Sequence, residues 1–502
     1  MKRNVVFVSP RLTLQKGDFL GSGVPYWPIE LATLAGAARA CGDVVTLVDL
    51  FGAAPRRLEE RADHYLQGAP LSRHLGRAEF AAAHLFVVFA ISYMSHAEVL
   101  AITAALRAAY PQTPVAVLEN AQAVTAYALP GEAESLFGAG AAALVCGDPH
   151  AHWDAIADWL LGVPGVLRPP GVMLRGELTV ERAAARGAAR HPLPAWDLLD
   201  LAGYWSLPYA HGPKTARYLP ILTSRGCPYP CDFCVVPATS GRRWQGEEPA
   251  YVVEQMLALR DRFGVRDFHV EDLNPTVDHS RWEAICRLLV ERNAGIRFYL
   301  VSGTKAETVR IDTVPLLARA GCRYLSISPE SGSAALMKRI GKPFDYEHGA
   351  ALVGACRANG IRTQACFLVG HPGETEGDHA ASLTYLRRLV RAGLDEAAIF
   401  VVAPFAGSRL HAQSRIAVAS GDALPSFSPR GRAGYAALAA RRGALIRAFF
   451  IAKLGRGFDL WMQGLRALAG VPQTKMENLP RRVAFVTWLV LKTRLSARAG
   501  ST

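Results

Sequence analysis

The sequence predicts an α/β protein in three parts. Residues 1–165 read as a doubly wound parallel-sheet domain, 217–411 as a partial (β/α)6 barrel, and 433–502 as a helical, basic region, with linkers at 166–216 and 412–432. Three observations carry this reading. Strand and helix patterns alternate in two long stretches, and the strands are continuous apolar runs, as in parallel sheets covered on both faces. Half of the 502 residues are hydrophobic, enough for a packed core in each part. The net charge of +13 is concentrated near the end: residues 431–502 hold thirteen Lys and Arg against two acids, Asp459 and Glu477, a net +11. The remainder is nearly neutral and need not bind a polyanion, so nucleic acid is not an expected partner.

In the first part, "VVFVSP" (5–10) is a buried strand and "IELATLAGAARAC" (29–41) has helical periodicity. Further strands read at "VVTLVDL" (44–50), "LFVVFAISY" (85–93), "PVAVLEN" (114–120) and "AALVCGD" (142–148). Such sheets bind ligands at the carboxyl ends of their strands. Those ends carry Ser9, Ser92, Tyr93, Glu119, Asn120 and Gly147, the candidate contacts of this domain. No GxGxxG follows the first strand, so a dinucleotide is not favoured. The stretch 166–216 is rich in Pro, Gly and Arg, and Trp196, Tyr204 and Trp205 are expected to pack it against a neighbour.

From Tyr218 the alternation resumes with "LPILTS", "DFHVEDL", "RFYLVSG", "YLSISPE", "TQACFLVG" and "AAIFVVAP" as strands. Helices fall near 249–263, 280–293, 313–320, 345–359 and 376–391. Six strand–helix units make most of a barrel, whose chemistry belongs where strands end. There stand Glu271, Asp272, Ser302, Glu330, Ser331 and the "GHPGET" loop beginning at Gly370. Past the second linker, Leu445, Ile446, Phe449, Phe450 and Leu454 form one helical stripe with Arg441, Arg447 and Lys453 largely off it. "VAFVTWLVL" (483–491) is flanked by Arg481, Arg482 and Lys492. This pattern suits a membrane surface or an amphiphilic substrate, and equally a helical cap on the barrel. No run approaches the roughly 20 apolar residues of a membrane span. "MKRNVVFVSP" reads as a strand rather than a signal peptide. Cys41, Cys146, Cys286, Cys322, Cys356 and Cys366 lie in apolar contexts and read as buried thiols of a cytoplasmic protein.

The sharpest signal is "TSRGCPYPCDFCV" (223–235), in which Cys227, Cys231 and Cys234 are spaced CxxxCxxC. A structural zinc site wants four ligands, and no fourth Cys or His stands nearby. Three thiolates can hold three irons of a [4Fe-4S] cluster and leave the fourth open. The motif follows the first barrel strand, at the face where barrels do chemistry.

With an aromatic, Phe233, before the last cysteine, the motif resembles the signature of the radical S-adenosylmethionine (SAM) superfamily over roughly 216–411. The resemblance implies that Cys227, Cys231 and Cys234 hold the cluster and that its open iron chelates SAM, which is cleaved to a 5′-deoxyadenosyl radical. It places Glu271 and Asp272 near the SAM amine. "ISPESGS" resembles "GxESGS", placing Glu330 and Ser331 near the ribose or carboxylate, with Ser328-Pro329 in place of the usual pair. "LVGHPGET" resembles the "GxPGET" near the adenine, "APFAGSRL" the sixth-strand "PxPGTxL" with Ala406 for proline, and Lys305 stands where a basic residue often follows the third strand.

The preceding sheet domain resembles that of the cobalamin-binding subfamily, through "YWPIELATLAGAARACGDVVTLVDL". It departs from the pattern with "EN" (119–120) for "GG" and "GDPH" (147–150) for "GEGE", and it lacks the DxHxxG loop; His150 reads as a loop histidine. The resemblance implies a cobalamin-dependent radical SAM enzyme, most often a C-methyltransferase. The alternatives are a non-methylating cyclase, oxidase or rearrangement enzyme of the same architecture, an RNA-modifying methylthiotransferase, and a non-catalytic sensor. The methylthiotransferase would require three cysteines in the first domain, where only Cys41 and Cys146 lie, and a small C-terminal β-barrel. The expected partners are a small-molecule or lipid-like substrate, an electron donor such as flavodoxin or ferredoxin, and the inner membrane face through residues 433–502.

Overall fold

A computed structural model describes residues 2–17, 22–122, 127–183, 190–413 and 432–499. The predicted linker at 412–432 lies almost wholly outside these residues.

The first sheet runs in the order Val44–Asp49, Asn4–Ser9, Leu85–Ala90, Val115–Glu119, Ala143–Val145, Val172–Met173. Its first five strands are parallel, with Val5 opposite Val45 and Leu85, which is the doubly wound order. Its strands are apolar throughout because helices cover both faces: Phe7, Leu31 and Trp153 fill one side and Phe86, Leu106 and Leu136 the other. Burying one such side chain fully is worth about 1.5–3 kcal/mol.

Two features depart from the all-parallel expectation. The strand Val172–Met173, inside the predicted linker, completes this sheet as an antiparallel edge on Ala143–Val145. A separate antiparallel sheet joins Leu12–Gln15, His64–Gln67 and Leu58–Glu60. Its short strands carry no long apolar run, which is why no pattern announced them.

The second sheet keeps chain order: Tyr218–Ile221, Asp267–Val270, Arg297–Thr304, Cys322–Glu330, Arg362–Val369, Glu396–Val401, all parallel. Its first and sixth strands are not paired, so the barrel is open along that side. The helix Tyr435–Leu454 packs on the sixth strand, burying Leu445 and Phe449. Thr474, Glu477 and Asn478 are buried, and Lys475 reaches the barrel interior, with Nζ donating to the Val301 carbonyl at 3.1 Å and Gln364 Oε1 at 3.3 Å. The helix Leu479–Ala499 then crosses to the small antiparallel sheet, where Val486 and Leu489 meet Leu14, Leu58 and Tyr65. The C-terminal region is therefore part of both bodies.

Trp27 ties the parts together. It stacks on Tyr204 (3.9 Å between centroids), meets Trp196 and Tyr218 edge-on, and donates Nε1–H to the Tyr218 hydroxyl at 3.2 Å. Among the described residues no helix is long and apolar enough to cross a membrane.

Candidate functional site

The cysteine loop is fixed by a small hairpin in which Ser224–Gly226 pairs antiparallel with Trp244–Gly246. Gly226 has φ +71°, and a Cβ there would sit 2.1 Å from the Arg243 carbonyl oxygen, so only glycine fits. The next residue is Cys227. Cys227, Cys231 and Cys234 all stand on the wall of one cavity of about 480 Å³. Burial raises all three thiols, Cys231 to about 11, and the neighbouring thiols push Cys231 and Cys234 up further. Three soft donors that resist ionising alone suit a polycationic iron–sulfur core, which would hold them as thiolates.

Of the sequence-predicted SAM contacts, Glu271, Ser302 and Glu330 line this cavity. Glu330 has φ +55°, a left-handed backbone that costs a non-glycine residue about 1–3 kcal/mol and gathers at functional sites. Its carboxylate pairs with Lys342, whose Nζ also donates to Ser328 Oγ at 2.7 Å. Burial pushes Glu271 up, but His211, with Nδ1 2.6 Å from its carboxylate, more than offsets this and holds it below the ordinary value.

The cavity does not take in Asp272, Ser331 or Gly370. Asp272 is fully buried and accepts from the Thr223 amide and hydroxyl, each at 2.7 Å, and from the Ser224 hydroxyl. It braces the end of the first barrel strand. Ser331 Oγ meets Ser382 Oγ at 2.9 Å, and Gly370 donates to Glu374 and accepts from Arg432.

From the first domain, Asn120 reaches the cavity together with Ile91 and Gln122, and its Nδ2 donates to the Ile91 carbonyl at 2.8 Å. Ser9 and Ser92 line a small neighbouring pocket at the switch point between the first two wings of the sheet. Tyr93 donates to Glu132 at 2.7 Å and packs on Phe405. Glu119 is turned inward, accepting from the Leu129 and Gly147 amides at 3.1 and 3.0 Å and pairing with Arg182. Gly147 is covered by Ala183, whose carbonyl a Cβ would meet at 2.4 Å. The chain's own residues fill these two loop positions.

Below them runs a buried charge network. Asp148 contacts His150 and, at 2.8 Å, His191, which also pairs with Glu247. Arg225 binds Glu30 and stands 3.7 Å from Asp148, and His150 Nε2 lies 3.3 Å from the Glu30 carbonyl. Asp148, His150 and His191 bring donor atoms within 4.8 Å of one another, but the Arg225 guanidinium occupies the cationic position beside them. The network bolts the first domain, the connecting segment and the cysteine loop together.

Four residues of the site carried no sequence signal. Lys342 and Lys475 look like surface lysines, His211 lies in a Pro-rich stretch, and Tyr26, whose ring is tilted 58° to that of His211 at 4.8 Å between centroids, precedes the first helix. Cys366, read as a buried thiol, stands on the cavity wall with Sγ 3.7 Å from Ser326 Oγ. The sequence reading overlooked this because a strand's two faces look alike when both are apolar.

An open parallel barrel with three thiols at its mouth shares a cavity with a doubly wound domain, which defines a two-domain α/β architecture. Residues 221–386, about a third of the chain, match the family model described as the radical SAM superfamily. Among curated relatives, it is 28% identical over 228 residues to cytidylyl-2-hydroxyethylphosphonate methyltransferase of Streptomyces wedmorensis, covering 44% of this chain and 42% of that protein. It is 30% identical over 149 residues to anaerobic magnesium-protoporphyrin IX monomethyl ester cyclase of Synechocystis sp., 29% of this chain and 28% of that protein. The chain thus matches less than half the length of these relatives. Its fold superposes on the radical SAM methyltransferase TsrM of Kitasatospora setae, solved with cobalamin and a [4Fe-4S] cluster, with a TM-score of 0.60 at 18% identity, covering 82% of this chain and 77% of that one. OxsB, a cobalamin-dependent SAM radical enzyme, superposes with a TM-score of 0.58 at 16% identity over 77% of this chain and 52% of that one.

Proposed function

We propose that this chain is a cobalamin-dependent radical SAM enzyme and, within that class, a C-methyltransferase. The observation that carries the reading is the shared cavity, lined by Cys227, Cys231 and Cys234 from the barrel and by Ile91, Asn120 and Gln122 from the first domain. When bound, the cluster and SAM supply a 5′-deoxyadenosyl radical, and cobalamin supplies a methyl carrier.

The three cysteines would hold the cluster. Glu271, kept ionised beside His211, suits the SAM ammonium, and Ser302 and Glu330 would complete that side. Lys342 would fix Glu330 in its strained backbone and carry positive charge toward the cluster thiolates. Ile91, Asn120 and Gln122 would face the corrin. Phe233, Leu273 and Phe405 on the wall would keep water from the reacting groups. An external one-electron donor of the flavodoxin or ferredoxin kind, a cytoplasmic location and peripheral membrane contact through residues 433–502 belong to the same proposal.

A non-methylating reaction on the same architecture is the second reading. The closed Glu119–Arg182 and Gly147–Ala183 contacts favour it, since they fill loops that the subfamily pattern leaves to glycine. The methylthiotransferase reading is disfavoured because the described C-terminal residues are helical rather than a β-barrel.

Electron paramagnetic resonance of the anaerobically reconstituted, reduced protein tests the cofactor assignment. The expected result is a cluster signal that changes when SAM is added and is lost in Cys231→Ala. A signal indifferent to SAM, or full iron–sulfide content in Cys231→Ala, contradicts it.

A further inference from the structure

The cavity has two ends of different chemistry. The thiols, Lys342 and Glu330 define one. The other lies behind the sixth barrel strand, where Ile399, Val401, Ile446, Phe449 and Phe450 form an apolar wall. The polar groups nearby are engaged: Arg442 donates to the Ile399 carbonyl at 2.8 Å, and Lys475 to Val301 and Gln364. A strongly polar substrate would have little to bind there, whereas a hydrocarbon body would be accommodated.

Phe449 is buried, but the adjacent Phe450 is both on the wall and 41% exposed. It stands where the cavity meets the surface. From it, exposed apolar side chains continue through Ile451 and Leu454, and then through Phe458, Trp461, Leu465 and Leu468 on the helix Gly457–Ala469. The last helix exposes Trp488, Leu491 and Leu495. Each set repeats at helical spacing, so apolar stripes face water, and the helix Gly457–Ala469 is strongly amphipathic. Arg447, Arg481 and Lys492 are exposed on the same helices, in a region of net +11. Aromatic and aliphatic stripes with cations beside them, on helices that cannot span, complement an anionic bilayer surface.

We infer that these helices rest on an anionic lipid surface and that the substrate is a membrane-partitioned amphiphile, its hydrocarbon body passing Phe450 into the apolar end of the cavity. What is done to it rests on the radical SAM reading; the surface and the chamber do not.

The test uses the full-length, reconstituted protein. Sedimentation with vesicles of phosphatidylcholine, with and without phosphatidylglycerol, reads the surface. Fluorescence of dansyl-undecanoate reads the chamber. Binding to the anionic vesicles is expected at low salt, falling roughly tenfold in the triple variant Phe458→Asp/Trp461→Asp/Leu465→Asp, as charge in an interfacial apolar face requires. The dansyl probe is expected to bind the wild type and to be excluded by Ala398→Trp, which adds bulk to the cavity wall from the sixth strand. The triple variant should retain iron content and SAM cleavage. No binding to anionic vesicles, binding that survives the triple variant, or a probe indifferent to Ala398→Trp overturns the inference. So does light scattering that shows the wild type to be a dimer the triple variant dissolves, since a second copy then covers the face. Loss of SAM cleavage in wild type, with vesicle and probe binding intact, would instead strike the catalytic reading.

Discussion

Replacing Lys342 by methionine removes one half of a buried ion pair and little volume. Nζ lies 2.5 Å from Glu330 Oε1, and both side chains are under a tenth exposed. Solvent therefore screens the pair weakly, and the Glu330 carboxylate is left with burial and no counter-charge. Burial already raises Glu330, with Lys342 pulling against it, so Lys342→Met drives it toward the neutral acid. Breaking such a pair costs roughly 3–5 kcal/mol. At about 2–4 °C per kcal/mol for a domain of this size, the barrel's melting temperature falls by roughly 6–20 °C. The double variant Lys342→Met/Glu330→Gln buries no charge and should recover most of the loss. Differential scanning calorimetry of the wild type, Lys342→Met, Glu330→Gln and the double variant, as isolated and without cluster, closes the cycle. A single variant that melts with the wild type, or a double variant no better than the single, refutes the reasoning.

Three further outcomes follow from the same geometry. Burial alone would lower His191, but Asp148 and Glu247 hold it above its ordinary 6.5, so its contribution is full below about pH 6.5 and is lost as pH rises through the higher folded value. Asp148 is depressed well below 3.8, mainly by His150 and Arg225 working against burial, so its contribution is lost only in acid. Melting temperature should therefore be highest between about pH 4 and 6.5 and fall on the alkaline side, and His191→Gln should flatten that alkaline fall; an unchanged slope counts against the network. Gly226→Ala should yield protein with little bound iron, because the Cβ meets a backbone oxygen that cannot move aside, and wild-type iron content would sink that claim. Asp272→Asn should lower the melting temperature while leaving SAM affinity of whatever folds near wild type, as measured by equilibrium dialysis; a selective loss of SAM affinity would restore Asp272 to the site.

Motifs read well where chemistry and backbone demand the same residues. The CxxxCxxC loop, Glu271 and Glu330 stand at strand ends whose spacing is recognisable in sequence, and all five residues line one cavity, whereas the left-handed backbone of Glu330 carries no such signal. Asp272 and Ser331 were drawn in by adjacency to them, yet successive residues at a strand end point to opposite sides, and these two point into structure. Glu119 shows the converse: a carboxylate at a ligand-facing strand end is taken up by two amides and Arg182, partners distant in sequence. Lys342 and Lys475 carry no local signal because burial of a long cation depends on tertiary partners that no local pattern encodes, and the pairing of His211 with Glu271 spans 60 residues of sequence. In the C-terminal region the strongly amphipathic helix is Gly457–Ala469 rather than the stretches 437–454 and 483–491, and the insertion of Lys475 into the barrel carries no local signal.

The central claim is tested most directly by anaerobic turnover of the reconstituted full chain with SAM and a strong reductant, with and without cobalamin, quantifying 5′-deoxyadenosine and S-adenosylhomocysteine by mass spectrometry. The account predicts both products, the second dependent on cobalamin and both absent in Cys231→Ala. Formation of 5′-deoxyadenosine alone, unaffected by cobalamin, would contradict methyl transfer and leave the non-methylating reading in its place.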